Sequence, residues 1–131
     1  MQLDPSRQLA YVACEHNARL LTFSLNDHKV VDTQPVGAEP DVMAADFAIA
    51  RLYVTGESGV VTMFDIGAAK PRKLGKAKVG DNAHVVAVDP ATHRVYFPLW
   101  SLFDTSTLRV MVPGGQMLTL QPTYETHTSR R

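Results

Sequence analysis

The stretch DPSRQLAYV at residues 4–12 returns as DFAIARLYV at residues 46–54 and as DPATHRVYF at residues 89–97. The tyrosines of the three copies are 42 and 43 residues apart. A fixed period in this range indicates a repeat architecture, in which each unit buries its faces against its neighbours because it is too small for a core of its own.

The strand pattern within one unit identifies the kind of repeat. In the second unit, runs of β-branched and aromatic residues predict strands over residues 42–46, 51–55, 60–66 and within 72–79, with a tight turn at residues 56–59. Four antiparallel strands in a unit of this length are typical of a β-propeller blade. The sequence therefore predicts an all-β partial β-propeller of two to three four-stranded antiparallel blades.

The predicted blades occupy residues 1–113, with units near 1–41, 42–83 and 84–113, and residues 114–131 are predicted to be a loosely ordered tail. The first unit has almost no innermost strand before Asp4, and residues 84–88 are the predicted innermost strand of the third. Closed propellers need at least four blades, and open sheet edges favour aggregation. We therefore expect a fragment of a longer propeller, or a chain that covers its open blade faces by self-association or with a protein partner. A truncated product without a function of its own is a third possibility.

Composition excludes several classes of partner. The 13 basic and 13 acidic residues leave a net charge of zero, which argues against nucleic-acid binding. No apolar stretch is long enough to span a membrane, and the N-terminus lacks a signal-peptide pattern, so the sequence as written predicts a cytoplasmic protein. A longer parent protein could be periplasmic or secreted. The single cysteine, Cys14, cannot form an internal disulfide and is predicted to be a buried structural thiol.

The second strand of the repeat carries a family resemblance. LYVTG at residues 52–56 resembles the YVTN-type β-propeller repeat of bacterial proteins, with Gly56 in place of the asparagine. The phrase VDPATHRVY at residues 88–96 is similar to that family's strand–turn–strand element, and the resemblance covers roughly residues 3 to 99. It implies a WD40-like propeller fold shared with seven-bladed proteins that include secreted surface proteins, quinoprotein-like cofactor-associated propellers and sugar lactonases.

Loops before the innermost strands and between the second and third strands of each blade meet at one face of a propeller, around the mouth of the channel. The candidate ligand-binding residues on this face are Glu15, His16, Asn17, Glu39, Asp41, Glu57, Asp81, Asn82 and His84. Such oxygen donors could hold Ca²⁺. The same residue types are also typical of exposed turns, where they bond their own backbone.

Other conspicuous residues have structural interpretations. Asp4 and Asp89 recur at equivalent positions and are predicted to form turns, and the three repeat tyrosines are predicted to pack between blades. His93 is predicted to lie on the opposite face from His84. Five cations within residues 70–78 coincide with an outermost strand, where lysines protect an edge from pairing.

Two functional hypotheses remain. The first is a non-catalytic binding or scaffold module without a cofactor, which presents its loop face to a protein partner or small ligand. The alternative, implied by the resemblance, is the remnant of a lactonase-like hydrolase with Ca²⁺ near Glu39, Asp41, Asn82 and His84. No nucleophile elbow, phosphate-binding loop or metal-binding helix motif is present, so no catalytic residue is assigned and the first hypothesis is favoured.

Overall fold

A computed structural model of the chain describes residues 1–102, 105–114 and 119–122. These residues form twelve strands and no helix, and so include no helix that is long and apolar enough to cross a membrane. The strands make three four-stranded antiparallel sheets, each with its strands in chain order. The all-β, partial-propeller prediction is confirmed, and the blade count within the described residues is three.

The first sheet contains β1 (Gln2–Asp4), β2 (Leu9–Cys14), β3 (Arg19–Ser24) and β4 (Lys29–Pro35). The second contains β5 (Pro40–Asp46), β6 (Arg51–Gly56), β7 (Val60–Asp65) and β8 (Arg72–Lys78). The third contains β9 (Ala87–Asp89), β10 (Arg94–Leu102), β11 (Thr105–Gly114) and β12 (Thr119–Pro122). The cation-rich segment thus includes β8, the outermost strand of its sheet, as predicted.

Three boundaries differ from the sequence prediction. The first blade does have an innermost strand, β1, whose three residues all pair with β2. The innermost strand of the third blade begins at Ala87 rather than at His84, so His84 lies in the preceding connection. The third blade extends past residue 113, because β12 pairs with β11 from Met111 to Gly114. Residues 115–118 and 123–131 of the predicted tail lie outside the described residues.

The turn after each innermost strand has the same construction in all three blades. Its last residue has a positive φ: 55° at Gln8, 53° at Ala50 and 61° at His93. Its leading aspartate accepts hydrogen bonds from within the turn, as when Asp89 accepts from the Ala91 N–H at 2.9 Å and Asp4 from the Arg7 N–H at 3.2 Å. The interpretation of these aspartates as turn formers is therefore confirmed.

Side chains that alternate along the strands fill two apolar layers, one on each side of the second sheet. Leu52 and Val54 face the first sheet, whereas Tyr53 between them faces the third. Tyr11 and Tyr53 are fully buried, and burial, reinforced by the nearby Asp46 carboxylate, raises the pKa of Tyr53 to about 12. These two tyrosines pack between blades as predicted, whereas Cys14, on the outer side of the first sheet, is only half-buried.

Candidate functional site

Four connections lie at the same end of the sheets and form one surface, which we call the rim. They are residues 15–18, 36–39, 57–59 and 79–86. Backbone hydrogen bonds join consecutive connections: the Glu57 N–H donates to the Glu39 carbonyl at 3.0 Å, and the Val79 N–H donates to the Gly59 carbonyl at 2.9 Å. These backbone bonds hold neighbouring connections of the rim together.

Gly56 lets two of these connections pack together. A Cβ atom at this position would strike the carbonyl oxygens of Ala38 and Glu39, the former at 2.6 Å. Because both contacts are backbone atoms, neither can move away by changing a rotamer. No side chain would fit here without a shift of the loop, which explains why the residue is glycine.

The second and third blades meet at the rim through His84. Its Nδ1 atom is buried, has no hydrogen-bond partner among the described residues and lies 3.8 Å from Oδ2 of Asp41, too far for a hydrogen bond. The buried hydroxyl of Thr55 lies 2.8 Å from the Val42 carbonyl and 2.6 Å from the His84 carbonyl. Thr55 thereby connects the start of β5 to the segment that leads into β9.

Lys78 makes a second polar cluster at the rim. Its Nζ donates to the Ser58 carbonyl at 2.7 Å and lies 3.2 Å from Oδ1 of Asp81. Asp81 is otherwise exposed, so this pair contributes about 1 kcal/mol at most.

The predicted site residues fall into two groups. Bonds or close approaches join Glu39 to Glu57 and Asp41 to His84, while Asp81 pairs with Lys78 and Asn82 belongs to the same connection. Glu15, His16 and Asn17 are exposed in the turn between β2 and β3. Among the described residues, no hydrogen bond or ion pair connects that turn's three predicted side chains to the rest of the predicted set.

The donor set at the rim does not fit the divalent ion of the lactonase alternative. Among the described residues, no three His, Cys, Asp or Glu side chains converge where they could hold a metal ion together. Asp41 and His84 supply two donors, fewer than the six to eight oxygen ligands of Ca²⁺. These residues alone therefore do not make a calcium site.

The most connected polar groups lie at the opposite end of the sheets. There His93 approaches Asp46, and Arg7 donates to Asp4 and to the Gly67 carbonyl. The Gly67 N–H donates to the Asp65 carboxylate. This hydrogen bond and the nearby arginines lower the pKa of Asp65 below its usual value, although partial burial of the carboxylate opposes the shift. His93 lies opposite His84, as predicted, but its contact with Asp46 was not foreseen.

The fold is shared with larger propeller proteins. No protein-family model and no curated protein matches the sequence. A 6-phosphogluconolactonase-like protein from Bacteroides fragilis superposes with a TM-score of 0.80 at 12% identity, over 97% of this chain and 38% of its own. A similarly described protein from Bacteroides uniformis gives 0.78 at 14% identity, over 97% and 39%. The dihydro-heme d1 dehydrogenase NirN gives 0.70 at 15% identity, over 93% and 25%.

This chain thus spans about two fifths of the length of the two lactonase-like proteins. At these identities the likeness shows a lactonase-like propeller fold and nothing about the chemistry at the rim.

Proposed function

We propose that the chain is a non-catalytic binding module that presents its rim to a positively charged segment of a protein partner. The supporting observation is the charge of the rim. Its exposed carboxylates are Glu15, Glu39, Glu57 and Asp81, and the exposed Asp41 lies next to them at the start of β5. The nearby cations are Arg19, Lys78 and Arg109, and the Arg109 guanidinium donates to the Val79 carbonyl. Because Lys78 is already paired with Asp81, the carboxylates of the other connections are available to an incoming cation.

The rim also has the stiffness that a binding surface needs. The bonds between residues 39 and 57 and between residues 59 and 79 hold the connections before a partner arrives. A surface that is organised in advance loses less conformational entropy on binding. Several carboxylates on separate loops suit an extended lysine- or arginine-rich segment better than a single small cation.

A titration of the isotopically labelled protein with an octalysine peptide, followed by amide chemical shifts, tests this proposal. We expect salt-dependent shifts concentrated in residues 36–41, 56–59 and 79–84. The variant Glu39→Gln/Glu57→Gln should bind the peptide roughly threefold to tenfold more weakly, because each rim charge contributes a fraction of a kcal/mol or more.

The matched control is Asp27→Asn/Asp32→Asn, which removes the same charge from the turn before β4 and from β4 itself. It should leave peptide affinity close to that of the wild type. Equal weakening by both double variants, or shifts centred on the opposite turns, would overturn the proposal.

A lactonase-like hydrolase is the second candidate, supported by the superposition on the two lactonase-like proteins. Its test is hydrolysis of 6-phosphogluconolactone together with the melting temperature in Ca²⁺. A native-state metal site must raise the melting temperature as the ion saturates it. Turnover that is lost on Asp41→Asn, with calcium stabilisation, would favour this candidate over the binding module.

A further inference from the structure

Each blade has two faces of different kinds, and the repeat shows which face packs on which. Tyr11 of the first blade faces the second blade, and the equivalent Tyr53 of the second faces the third. The opposite face of the second blade carries Leu52, Val54 and Phe64 and receives the face that bears Tyr11. We call a face that bears the repeat tyrosine the tyrosine kind, and a face that bears the positions of Leu52 and Val54 the Leu52 kind. At the first junction, therefore, a face of the tyrosine kind packs on a face of the Leu52 kind.

The second junction repeats this arrangement. There Tyr53 packs in a layer with Val95 and Phe97, which occupy the repeat positions of Leu52 and Val54 in the third blade. Both junctions of the chain thus have the same polarity: the earlier blade contributes the tyrosine-bearing face and the later blade contributes the face of the Leu52 kind.

The outer side of the first sheet, which we call the leading face, is of the Leu52 kind. Strand pairing places Leu3, Ala10, Phe23 and Val30 in one row across all four strands. Leu3 is 49% exposed and Val30 is 48% exposed. Phe23 is half-buried, although Phe64, its counterpart in the second blade, is fully buried.

The outer side of the third sheet, which we call the trailing face, is of the tyrosine kind. Tyr96 takes the repeat position of Tyr11 and Tyr53 but is only half-buried. Ala87 pairs with Tyr96, and Leu108, which is 42% exposed, pairs with Pro98 on the same side. One chain therefore carries, at its two ends, the two kinds of face that its own junctions bring together.

We propose that two copies of this chain pair head to tail, with the trailing face of each on the leading face of the other, and close a six-bladed ring. A head-to-tail contact repeats until rotation closes it. Closed propellers have about four to eight blades. Three blades fall below that range and nine exceed it, so two copies are the number that closes.

A polar contact supports the same polarity. At the second junction, His93 in the turn of the later blade approaches Asp46 of the earlier blade. In a head-to-tail pair, the equivalent residues are Gln8 of one copy and Asp89 of the other. The amide of Gln8 can donate to a carboxylate, so this pair can repeat the contact that His93 makes.

Light scattering after size exclusion, on the full chain over a range of concentrations, tests the proposal. We expect a species of twice the 14.4 kDa mass of one chain. A monomer at every concentration would show that these faces do not pair with each other, and a concentration-dependent series of larger species would show stacking without closure. Either result would overturn the proposal.

Variants that each disrupt one end face test whether the two copies pair head to tail. Val30→Asp on the leading face and Leu108→Asp on the trailing face should each give a monomer, and a mixture of the two should recover some dimer through one intact junction. Phe47→Asp, at an exposed phenylalanine in the turn before β6, is the matched control and should remain a dimer. Circular dichroism verifies that each variant is folded.

If Val30→Asp or Leu108→Asp remains a dimer by itself, a symmetric contact through the other face is present and the head-to-tail ring is wrong. Dissociation by Phe47→Asp to the same extent would likewise contradict the proposal, because that side chain lies on neither end face.

Discussion

The Nδ1 atom of His93 lies 2.7 Å from Oδ2 of Asp46, and this contact ties the first turn of the third blade to the second blade. Asp46 is buried, and its other carboxylate oxygen accepts the Ala48 N–H at 3.1 Å. The carboxylate therefore serves its own turn and the junction between blades at once.

Loss of the His93 side chain should weaken that junction. We expect His93→Ala to lower the free energy of unfolding by about 2 kcal/mol, because it leaves a buried carboxylate oxygen without its partner. His28→Ala is the matched control: His28 is also a histidine with a positive φ, of 55°, but its side chain is exposed in the turn between β3 and β4. Urea denaturation of both variants measures the difference, and equal losses would show that the junction contact adds nothing.

The hydroxyl of Thr55 should stabilise the rim. We expect Thr55→Val to cost about 1–2 kcal/mol, because the single hydroxyl proton is lost and a buried carbonyl, that of Val42 or that of His84, is left without its donor. Thr22→Val is the control, since the Thr22 hydroxyl is buried with no hydrogen-bond partner in the part of the chain that the structure describes, and its loss should be neutral or stabilising. Thermal unfolding of the two variants tests the contrast, which fails if Thr22→Val is the more harmful.

Gly56 should tolerate no side chain. We expect Gly56→Ala to destabilise the protein by about 2–3 kcal/mol, through strain against the backbone of Ala38 and Glu39. Gly75→Ala in β8 is the control, because a Cβ there would have only the terminal methyl of Met63 nearby, at 3.9 Å. Denaturant midpoints give the comparison, and similar values for both variants would contradict the close approach at the rim.

Ala18 adopts a backbone conformation that favours glycine. Its φ is 51°, and an L-residue there carries a steric penalty that exceeds the entropic advantage of alanine in the unfolded chain. We expect Ala18→Gly to raise the free energy of unfolding by about 0.5–1 kcal/mol. Ala68→Gly, in the exposed connection after β7, has no positive φ to relieve and should be destabilising instead. Thermal unfolding tests both expectations, the stabilisation by Ala18→Gly and the destabilisation by Ala68→Gly.

Ionisation of Asp4 should stabilise the fold at neutral pH. Burial opposes the charge of Asp4, but hydrogen bonds from Ser6 and Arg7 outweigh it and lower the pKa below the ordinary 3.8. A lowered folded-state pKa contributes stability above the unfolded-state value, and that contribution is lost as the pH falls through the folded-state value. Wild type should therefore be more stable than Asp4→Asn at pH 7, with the gap narrowing below about pH 4. A gap that is constant or widens in acid would contradict the assignment.

Local sequence signals account for most of the secondary structure. The predicted strands of the second blade match β5–β8 to within a few residues, because alternating apolar residues and turn formers act over short separations. The third blade was harder to delimit: β10 and β11 carry a register shift between Leu99 and Leu102 that interrupts the hairpin pattern. The rim residues were identifiable as loop residues, but their contacts were not.

The sequence by itself determined the repeat, the four-stranded blade and the turn construction, because each depends on residues that are neighbours along the chain. It also showed that the most recurrent residues, the turn aspartates and the packing tyrosines, are structural. Only the tertiary structure decided why position 56 is glycine, which buried carboxylate His93 meets, and that the two end faces are of opposite kinds. Those facts depend on atoms brought together from distant positions, and the position of one blade against the next decides them.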